Sequence, residues 1–392
     1  MSLRFLTGGE SHGPALVIIV DGMPAGLPLS ADAIDRDLAR RQRGHGRGGR
    51  MSIESDRVQI LSGVRFGRTM GSPISLLIEN RDHASWDEVM SVAEVEGKKF
   101  ARETRPRPGH ADLAGMLKYG TGDARDVLER ASARETAART AAGAVARRLL
   151  EELGSNIASR VVRIGSTSAP DPAPVTRAAF AEADSDPMRC SDPETSRRMV
   201  EEVDTAAADG DSLGGVFEVV VFKPLPGLGS AVQADRRLDT CLCGALASIP
   251  GIKGVEIGEG FKLASMKGSE AHDEILFEAD RGVVRRTNRA GGLEAGMTNG
   301  EPIVLRAAMK PIPTLARPLA TIDVDTLEPT VAFKERADTC AVPAAAVVGE
   351  AVVAFVLAQA VLDKFGSDSM ADIKRSVDGY LERIAGLWKR EV

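Results

Sequence analysis

Aromatic side chains are scarce in this chain. Two tryptophans and two tyrosines occur among 392 residues, and aromatics total 4%. So few rings argue against an aromatic-lined groove for sugars or bases. Cysteine is scarce as well. Cys190, Cys241, Cys243 and Cys340 contain no Cys-x-x-Cys pair, and a chain this long needs no disulfide staples. A reducing, cytoplasmic setting is the expectation. No apolar run in the sequence reads as membrane-spanning, and the N-terminus lacks the basic, apolar and small-residue order of a signal peptide. No membrane partner is expected.

Several chemical signatures are missing too. There is no Gly-x-Gly-x-x-Gly leading from strand to helix and no phosphate-binding Gly-x-x-x-x-Gly-Lys-Ser/Thr. Gly9-Glu10-Ser11-His12-Gly13 has Gly-x-Ser-x-Gly spacing, but no strand is read before it as in a nucleophile elbow, and Ser11-His12 adjacency does not establish attack geometry. The five histidines show no His-x-x-x-His spacing and the cysteines do not complement them, so no metal site is expected. A formal net charge of -6 argues against a general nucleic-acid coat, and no nucleic-acid partner is expected.

What is present is an ordinary globular composition, 43% apolar and 27% charged, with 40 glycines and 20 prolines that imply many tight turns. Residues 15–20 read as a buried strand, and Ser30 as the cap of a helix to about Arg43. The glycine-rich stretch 44–50 reads as a loop, with short strands near 58–66 and 74–79. The charged stretch 84–104 reads as a surface excursion, and 168–190 as a loop or insert. The clearest helix is 132–153, where Ser132 and Glu135 have capping-box spacing. Beyond it come a helix near 191–206, a strand at 214–222, a helix at 235–247 and a strand at 302–308. A helix from Pro343 to about Phe365 and a terminal helix over 375–388 complete the reading. Strands and helices recur on both sides of residue 170, which suggests an internal two-fold repeat without residue-level similarity.

Four constellations carry candidate chemistry. Arg36, Arg40, Arg41, Arg43, Arg47 and Arg50 interleave with glycines and are opposed only by Asp37. They form either an anion pocket or a solvated basic surface of the nucleic-acid kind. In Arg130-Ala-Ser-Ala-Arg134-Glu-Thr, Ser132 caps a helix whose first amides suit an anion, or Arg134 pairs with Glu129 or Glu135. Arg105-Pro-Arg107-Pro-Gly-His110-Ala-Asp112 holds a histidine on a stiffened turn, as an acid or as a turn residue. Lys334-Glu-Arg336-Ala-Asp338-Thr pairs a cation with a carboxylate before a helix, an anion site or an ordinary helix entry. His12, in Gly8-Gly-Glu10-Ser11-His12-Gly13, has Glu10 and Ser11 as neighbours able to orient it. Lys310-Pro-Ile-Pro-Thr314 adds a stiff loop with a cation and a hydroxyl.

Taken in order, Glu10-Ser-His12-Gly13 with Asp21-Gly22-x-Pro24, Arg105 to Asp112, Arg130 to Thr136 and Arg336-Ala-Asp338 resemble the chorismate synthases. Lys253-Gly-Val-Glu256-Ile-Gly, Asn288-Arg-Ala-Gly-Gly and Lys310-Pro-Ile extend the resemblance over almost the whole chain. The resemblance implies one domain over 1–392 with an α+β fold, a β-α-β sandwich with internal pseudo-two-fold symmetry, assembled as a homotetramer. It implies a lyase that needs reduced FMN, with NAD(P)H as an external reductant in some members. That lyase converts 5-enolpyruvylshikimate 3-phosphate to chorismate by 1,4-anti-elimination of phosphate.

Carried onto this chain, the resemblance puts His110 beside the reduced flavin near N1, and His12 at the leaving phosphate. Asp338 assists transfer of the proton lost from substrate C6 through flavin N5. Flavin contacts fall on Arg130, Ala131, Ser132, Pro250, Gly251, Ala295, Lys310, Pro311, Ile312, Pro313, Thr314 and Arg336, and a nucleotide site on Arg41 and Arg47. Arg41, Arg47, Arg107, Arg134 and Arg336 are substrate-anion candidates. Two positions depart from the family pattern: Pro250-Gly251 replaces an Asn/Gln-Ala pair, and Ala295 replaces glycine. The rival readings are a flavin enzyme acting on another phosphorylated acid, and a phosphorylated-ligand or RNA-binding protein that uses the Arg/Gly-rich loop.

Overall fold

Alternation sets the first sheet. Leu16, Ile18 and Val20 are buried while Val17 and Ile19 face outward, the period of two that gives a sheet one covered face. The computed structural model describes residues 3–48, 55–97, 100–171, 175–278 and 282–387; Arg50 of the basic run and residue 388 of the terminal helix lie outside them. Strand β1 (Arg4–Gly8) pairs antiparallel with β2 (Ala15–Asp21), Arg4 opposite Asp21. After helix α1 (Ala31–Gln42) come β3 (Val58–Ile60) and β4 (Ile74–Glu79), and the sheet order is β1-β2-β4-β3.

Helices α2 (Asp112–Tyr119) and α3 (Arg125–Ala131) then lead into the long α4 (Thr136–Glu152). A second antiparallel sheet follows. It contains β5 (Asn156–Ile164), β6 (Thr167–Ser168), β7 (Gly215–Phe222), β8 (Ile252–Ile257) and β9 (Ile303–Met309), in the order β8-β9-β7-β5-β6. Between these strands lie α5 (Arg177–Ser185), α6 (Pro193–Ala208) and α7 (Leu238–Ala247), and after them α8 (Val342–Phe365) and α9 (Met370–Gly386).

The expected repeat is visible in topology. β1, β2, α1, β3, β4 and α4 correspond in order to β5, β7, α7, β8, β9 and α8. In both halves the fourth strand inserts between the second and third, and a long helix follows it. Those two long helices are the middle layer. α4 packs on β1 and β2, α8 packs on β5 and β7, and the pair lie against each other. Gly143 makes that approach close: a Cβ there would stand 2.4 Å from Ala351 Cβ and 2.5 Å from Ala351 Cα. Phe5 of β1 meets Phe355 of α8 edge-on at 4.7 Å, joining the first sheet to the same core.

Four expectations need correction. The segment 168–190 is not all loop, because Thr176 caps α5, whose Phe180 covers the outer face of the second sheet with Val220, Phe222 and Val304. The terminal helix starts earlier, at Ser369, whose side chain accepts from Asp372 N. Ser132 caps the short turn Ala133–Glu135 rather than a full box, since Glu135 turns to Arg139 instead. Helix α8 is long and apolar enough to cross a membrane by composition, contrary to the sequence reading, yet 83% of its apolar window is buried between the layers.

Candidate active site

The tight connection from β1 to β2 carries Ser11 and His12, and α3 rises against it. Glu129 of α3 reaches back with both oxygens to His12 Nδ1, at 2.9 and 3.0 Å, and Glu129 Oε2 also accepts the His12 backbone N–H at 2.9 Å. The expected local partners, Glu10 and Ser11, do not orient this ring; Ser11 Oγ instead donates to Ser132 Oγ at 3.0 Å. Trp86 stacks on the imidazole with centroids 4.1 Å apart, so the start of the 84–104 excursion closes over the histidine.

From Glu129 a run of ion pairs continues to the second histidine. Arg125, one helical turn earlier, donates to Glu129 at 2.8 Å and to Glu335 at 3.1 Å. Glu335 lies 3.8 Å from Arg107, which donates through Nε to Asp112 at 2.8 Å and through Nη1 to Thr314 Oγ1 at 2.9 Å. Asp112 in turn holds His110 Nδ1. His12 and His110, about a hundred residues apart in sequence, are thus the two ends of one chain of alternating charges.

Electrostatics in this chain favour ionised carboxylates. Burial pushes the Glu129 carboxyl up, but the bonds from His12 and Arg125 outweigh it and the net shift is down. Asp112 is likewise raised by burial and lowered further by His110 and Arg107, ending well below the usual carboxylate range. An ionised carboxylate only accepts hydrogen bonds, so Nδ1 of His12 carries a proton; Nδ1 of His110 faces both Asp112 and, at 3.0 Å, Arg107 Nη2, which only donates.

A second cluster lies on the other side of the His12 turn. Asn80 donates to the carbonyls of Glu10 and Gly13 at 3.1 and 2.7 Å, and its Oδ1 accepts from Arg134 Nε at 2.8 Å. Arg134 pairs with Asp56, not with Glu129 or Glu135 as one sequence reading had it, and Asp56 also takes Arg41 Nη2 at 2.8 Å. Two buried guanidiniums converge on this carboxylate, and their paired forks suit an anion. Arg41 Nε is buried without a hydrogen-bond partner among the described residues.

Asp338 sits beside this cluster, accepting from Gly48 N at 2.7 Å and pairing with Arg47 at 2.9 Å. Its sequence neighbour Arg336 turns elsewhere, to Asp82. The basic run therefore divides. Arg41 and Arg47 face the site, whereas Arg40, a hundred degrees around the helix from Arg41, points into a buried cluster at Glu350. Arg40 is a structural residue.

The remaining candidates gather unevenly. Lys310 reaches the Gly109 carbonyl, its backbone N–H donates to Gly251 O at 2.9 Å, and Ser212 holds Ile312 O at 2.7 Å. The loop of Lys310 to Thr314 thus meets His110's turn and Pro250-Gly251. Arg130 grips the carbonyls of Thr7 and Gly9 at 3.0 Å beside Ala131 and Ser132. Ala295 is apart: its neighbour Gly296 meets the start of α7, while Gly251 follows that helix's end. Two surface cavities, of about 400 and 500 Å³, touch none of the candidate residues. Among the described residues no group of His, Cys, Asp or Glu side chains could hold a metal ion.

These residues suit flavin mononucleotide in kind. Burial and nearby Lys253 both lower the Lys310 ammonium, a pair of like charges that a phosphate would relieve. Gly109, at a positive φ of 78°, leaves Lys310 Nζ 3.4 Å from where a Cβ would stand. Ser132 supplies a hydroxyl at a helix entry, and Arg41 Nε an uncommitted donor.

Comparisons with known proteins agree. A family model described as chorismate synthase matches residues 3–362. The chorismate synthase of Desulforudis audaxviator is 59% identical over 385 residues, covering 97% of this chain and 98% of that protein. That of Symbiobacterium thermophilum is 58% identical over 389 residues, covering 98% and 100%. A crystal structure of a chorismate synthase superposes with a TM-score of 0.80 at 42% identity, covering 98% of this chain and 99% of the other. With likeness running end to end in sequence and in fold, this chain belongs to the chorismate synthase family, lyases that convert 5-enolpyruvylshikimate 3-phosphate to chorismate in the shikimate pathway.

Proposed function

We propose that the ion-paired region between His12 and His110 is the site of this elimination, with the arginines around it holding a substrate that carries one phosphate and two carboxylates. The observation that carries the proposal is the continuous chain from His12 through Glu129, Arg125, Glu335, Arg107 and Asp112 to His110. Arg41 and Arg134 bind substrate anions, supported by their convergence on Asp56, and Arg47, Arg107 and Arg336 add positive charge. Arg130, Ala131, Ser132, Pro250, Gly251, Ala295, the loop Lys310 to Thr314 and Arg336 hold reduced FMN. When bound, that cofactor supplies an electron-rich partner for departure of an allylic phosphate, with no net redox change.

The chain's own residues do the rest. His12, acting as the doubly protonated ring, gives the Nε2 proton to the leaving phosphate and is left as the Nδ1–H tautomer held by Glu129, while the arginines neutralise the phosphate charge. His110 stands beside the cofactor as a proton donor, kept in place by Asp112. The C6 proton must leave as the new double bond forms, and Asp338, held by Arg47 and the Gly48 N–H, carries it away. Trp86 and the 81–86 turn exclude water above His12.

The reading includes one functional domain over the 392 residues, a homotetramer, a cytoplasmic setting, and NAD(P)H as external reductant for the flavin. No nucleic acid or membrane enters it, since Arg40, Arg41 and Arg47 turn inward to carboxylates. The test is His12→Ala and His110→Ala assayed anaerobically with saturating prereduced FMN. Each should lower turnover by roughly 10²- to 10⁴-fold with folding retained. Full activity in both overturns the assignment.

A further inference from the structure

The β1–β2 turn and α3 meet at one carboxylate. Glu129 is buried at 4% exposure and contacts the His12 loop at three points: ring Nδ1, the backbone N–H of His12, and, through its own carbonyl, the backbone N–H of Ser11 at 2.9 Å. No other side chain is recorded on the ring nitrogens of His12 among the described residues, and Arg125 fixes the far side of the carboxylate at 2.8 Å. Trp86 sets the ring plane, lying 27° from parallel. Position, tautomer and tilt of the imidazole are all determined by groups outside the histidine's own turn.

We propose that Glu129 is a positioning residue for the elimination: it fixes the Nδ1–H tautomer of His12 and so presents Nε2 to the leaving phosphate. The assignment rests on the reading of His12 as the proton donor. Glutamine at this position has the same shape but one acceptor oxygen. Placed at Oε2, that oxygen still meets both His12 donors, but the NH2 is set against Arg125 and within 2.9 Å of Nδ1, where it can donate to a bare nitrogen. Flipped, the amide sets its NH2 against the His12 backbone N–H. The ring then loses its fixed tautomer while the substrate arginines stay where they are. Loss of the carboxylate that orients a catalytic histidine costs up to about 10⁴ in turnover in the best-studied hydrolase triad.

The experiment compares Glu129→Gln, His12→Ala and the double variant, with prereduced FMN and 5-enolpyruvylshikimate 3-phosphate. Glu129→Gln should lower kcat by about 10²-fold or more while KM changes by less than about threefold. In the double variant the second change should add nothing, because Glu129 acts only through the ring. Losses that multiply would overturn the proposal, as would an unchanged kcat. [15N]Histidine spectra of the flavin-free protein supply a readout independent of turnover: His12 should show a protonated Nδ1 and a bare Nε2 at high pH, and Glu129→Gln should abolish that preference. The opposite tautomer in the parent protein would also overturn it. Should Glu129→Gln fail to fold, Glu129→Asp keeps the charge, and it should preserve the tautomer with a smaller loss of kcat. Full activity of His12→Ala with the expected tautomer would sink the role of His12 and leave the Glu129 contact standing.

Discussion

Replacing Glu350 by glutamine should destabilise this fold by about 3–5 kcal/mol, the range for breaking a buried ion pair from one side. Glu350 lies in the middle of α8 with 0% exposure, and four side chains converge on it. Arg40 donates twice at 2.8 Å, Arg147 and Ser159 once each at 2.5 Å, and Arg189 at 3.3 Å. Asp37 and Asp184 complete the cluster, so three guanidiniums face three carboxylates. At a charge separation of about 4 Å and an effective dielectric of about 20, one pair attracts by about 4 kcal/mol. Repulsion among the arginines and the cost of burial reduce the sum of three attractions to the stated range. Urea denaturation at fixed protein concentration, without ligand, measures it.

The same residue makes a pH prediction. Burial pushes the Glu350 carboxyl up, but Arg40 and Arg147 pull it further down, so its folded value lies below the ordinary 4.5. A depressed folded value means the stabilisation is complete above about 4.5 and is lost as pH falls through the folded value. The parent protein should lose stability over that acid window, and Glu350→Gln should lose less. Turnover of folded Glu350→Gln should stay near the parent's, because the cluster is not part of the substrate site. A shift below about 1 kcal/mol, or a marked rise in KM, would refute the structural role of Arg40 and return it to the anion pocket.

Two backbone predictions follow from the same packing logic. Ala295 and Gly296 form the two-residue turn of the hairpin Leu293–Thr298, both at positive φ, 49° and 79°. Alanine is strained there, so Ala295→Gly should stabilise the fold by about 1 kcal/mol, read as a higher denaturation midpoint at unchanged m, and a lower midpoint would contradict the turn. Gly143→Ala would drive a methyl into Ala351 between the two central helices, at a cost of about 1–3 kcal/mol in thermal or urea melts; a neutral result would mean α4 and α8 are not in contact.

Much of the fold was legible because local chemistry specified it. Ser30 caps α1 through Ala33 N, Pro343 starts α8, and the alternation of residues 15–21 gives β2 with its inner face. The helix α5 was missed because the prolines and aspartates around it outweighed Thr176, a good cap ahead of an alanine-rich turn. The site was legible as motifs and not as contacts. Glu129 directly precedes the Arg130 motif and lies four residues after Arg125, a helical pair that marks one face, but its bond to His12 spans 117 positions. Scarcity of rings was itself a signal. One of only two tryptophans stacks on the candidate acid, within a segment that composition alone assigns to the surface.

The repeat explains where the chemistry sits. The elements that correspond between halves are strands and core helices, and they carry few of the candidate residues. Much of the chemistry lies in the two connections that lead from the fourth strand of each half to its central helix, residues 80–135 and 310–341. His12 in the β1–β2 turn, Arg41 at the end of α1 and Arg47 in the loop after it add to them. The two connections are equivalent in topology, and they converge. The observed bonds cross between them repeatedly: Arg107 to Thr314, Arg125 to Glu335, Thr104 to Asp323, Thr321 to the Pro106 carbonyl. A duplicated scaffold thus needs no similarity between its two connections. It needs only that they meet, which leaves one free to carry His110 and α3 and the other Thr314, Glu335 and Asp338. Substitutions in this shared seam should therefore affect turnover before stability, whereas those at Glu350 or Gly143 should do the reverse.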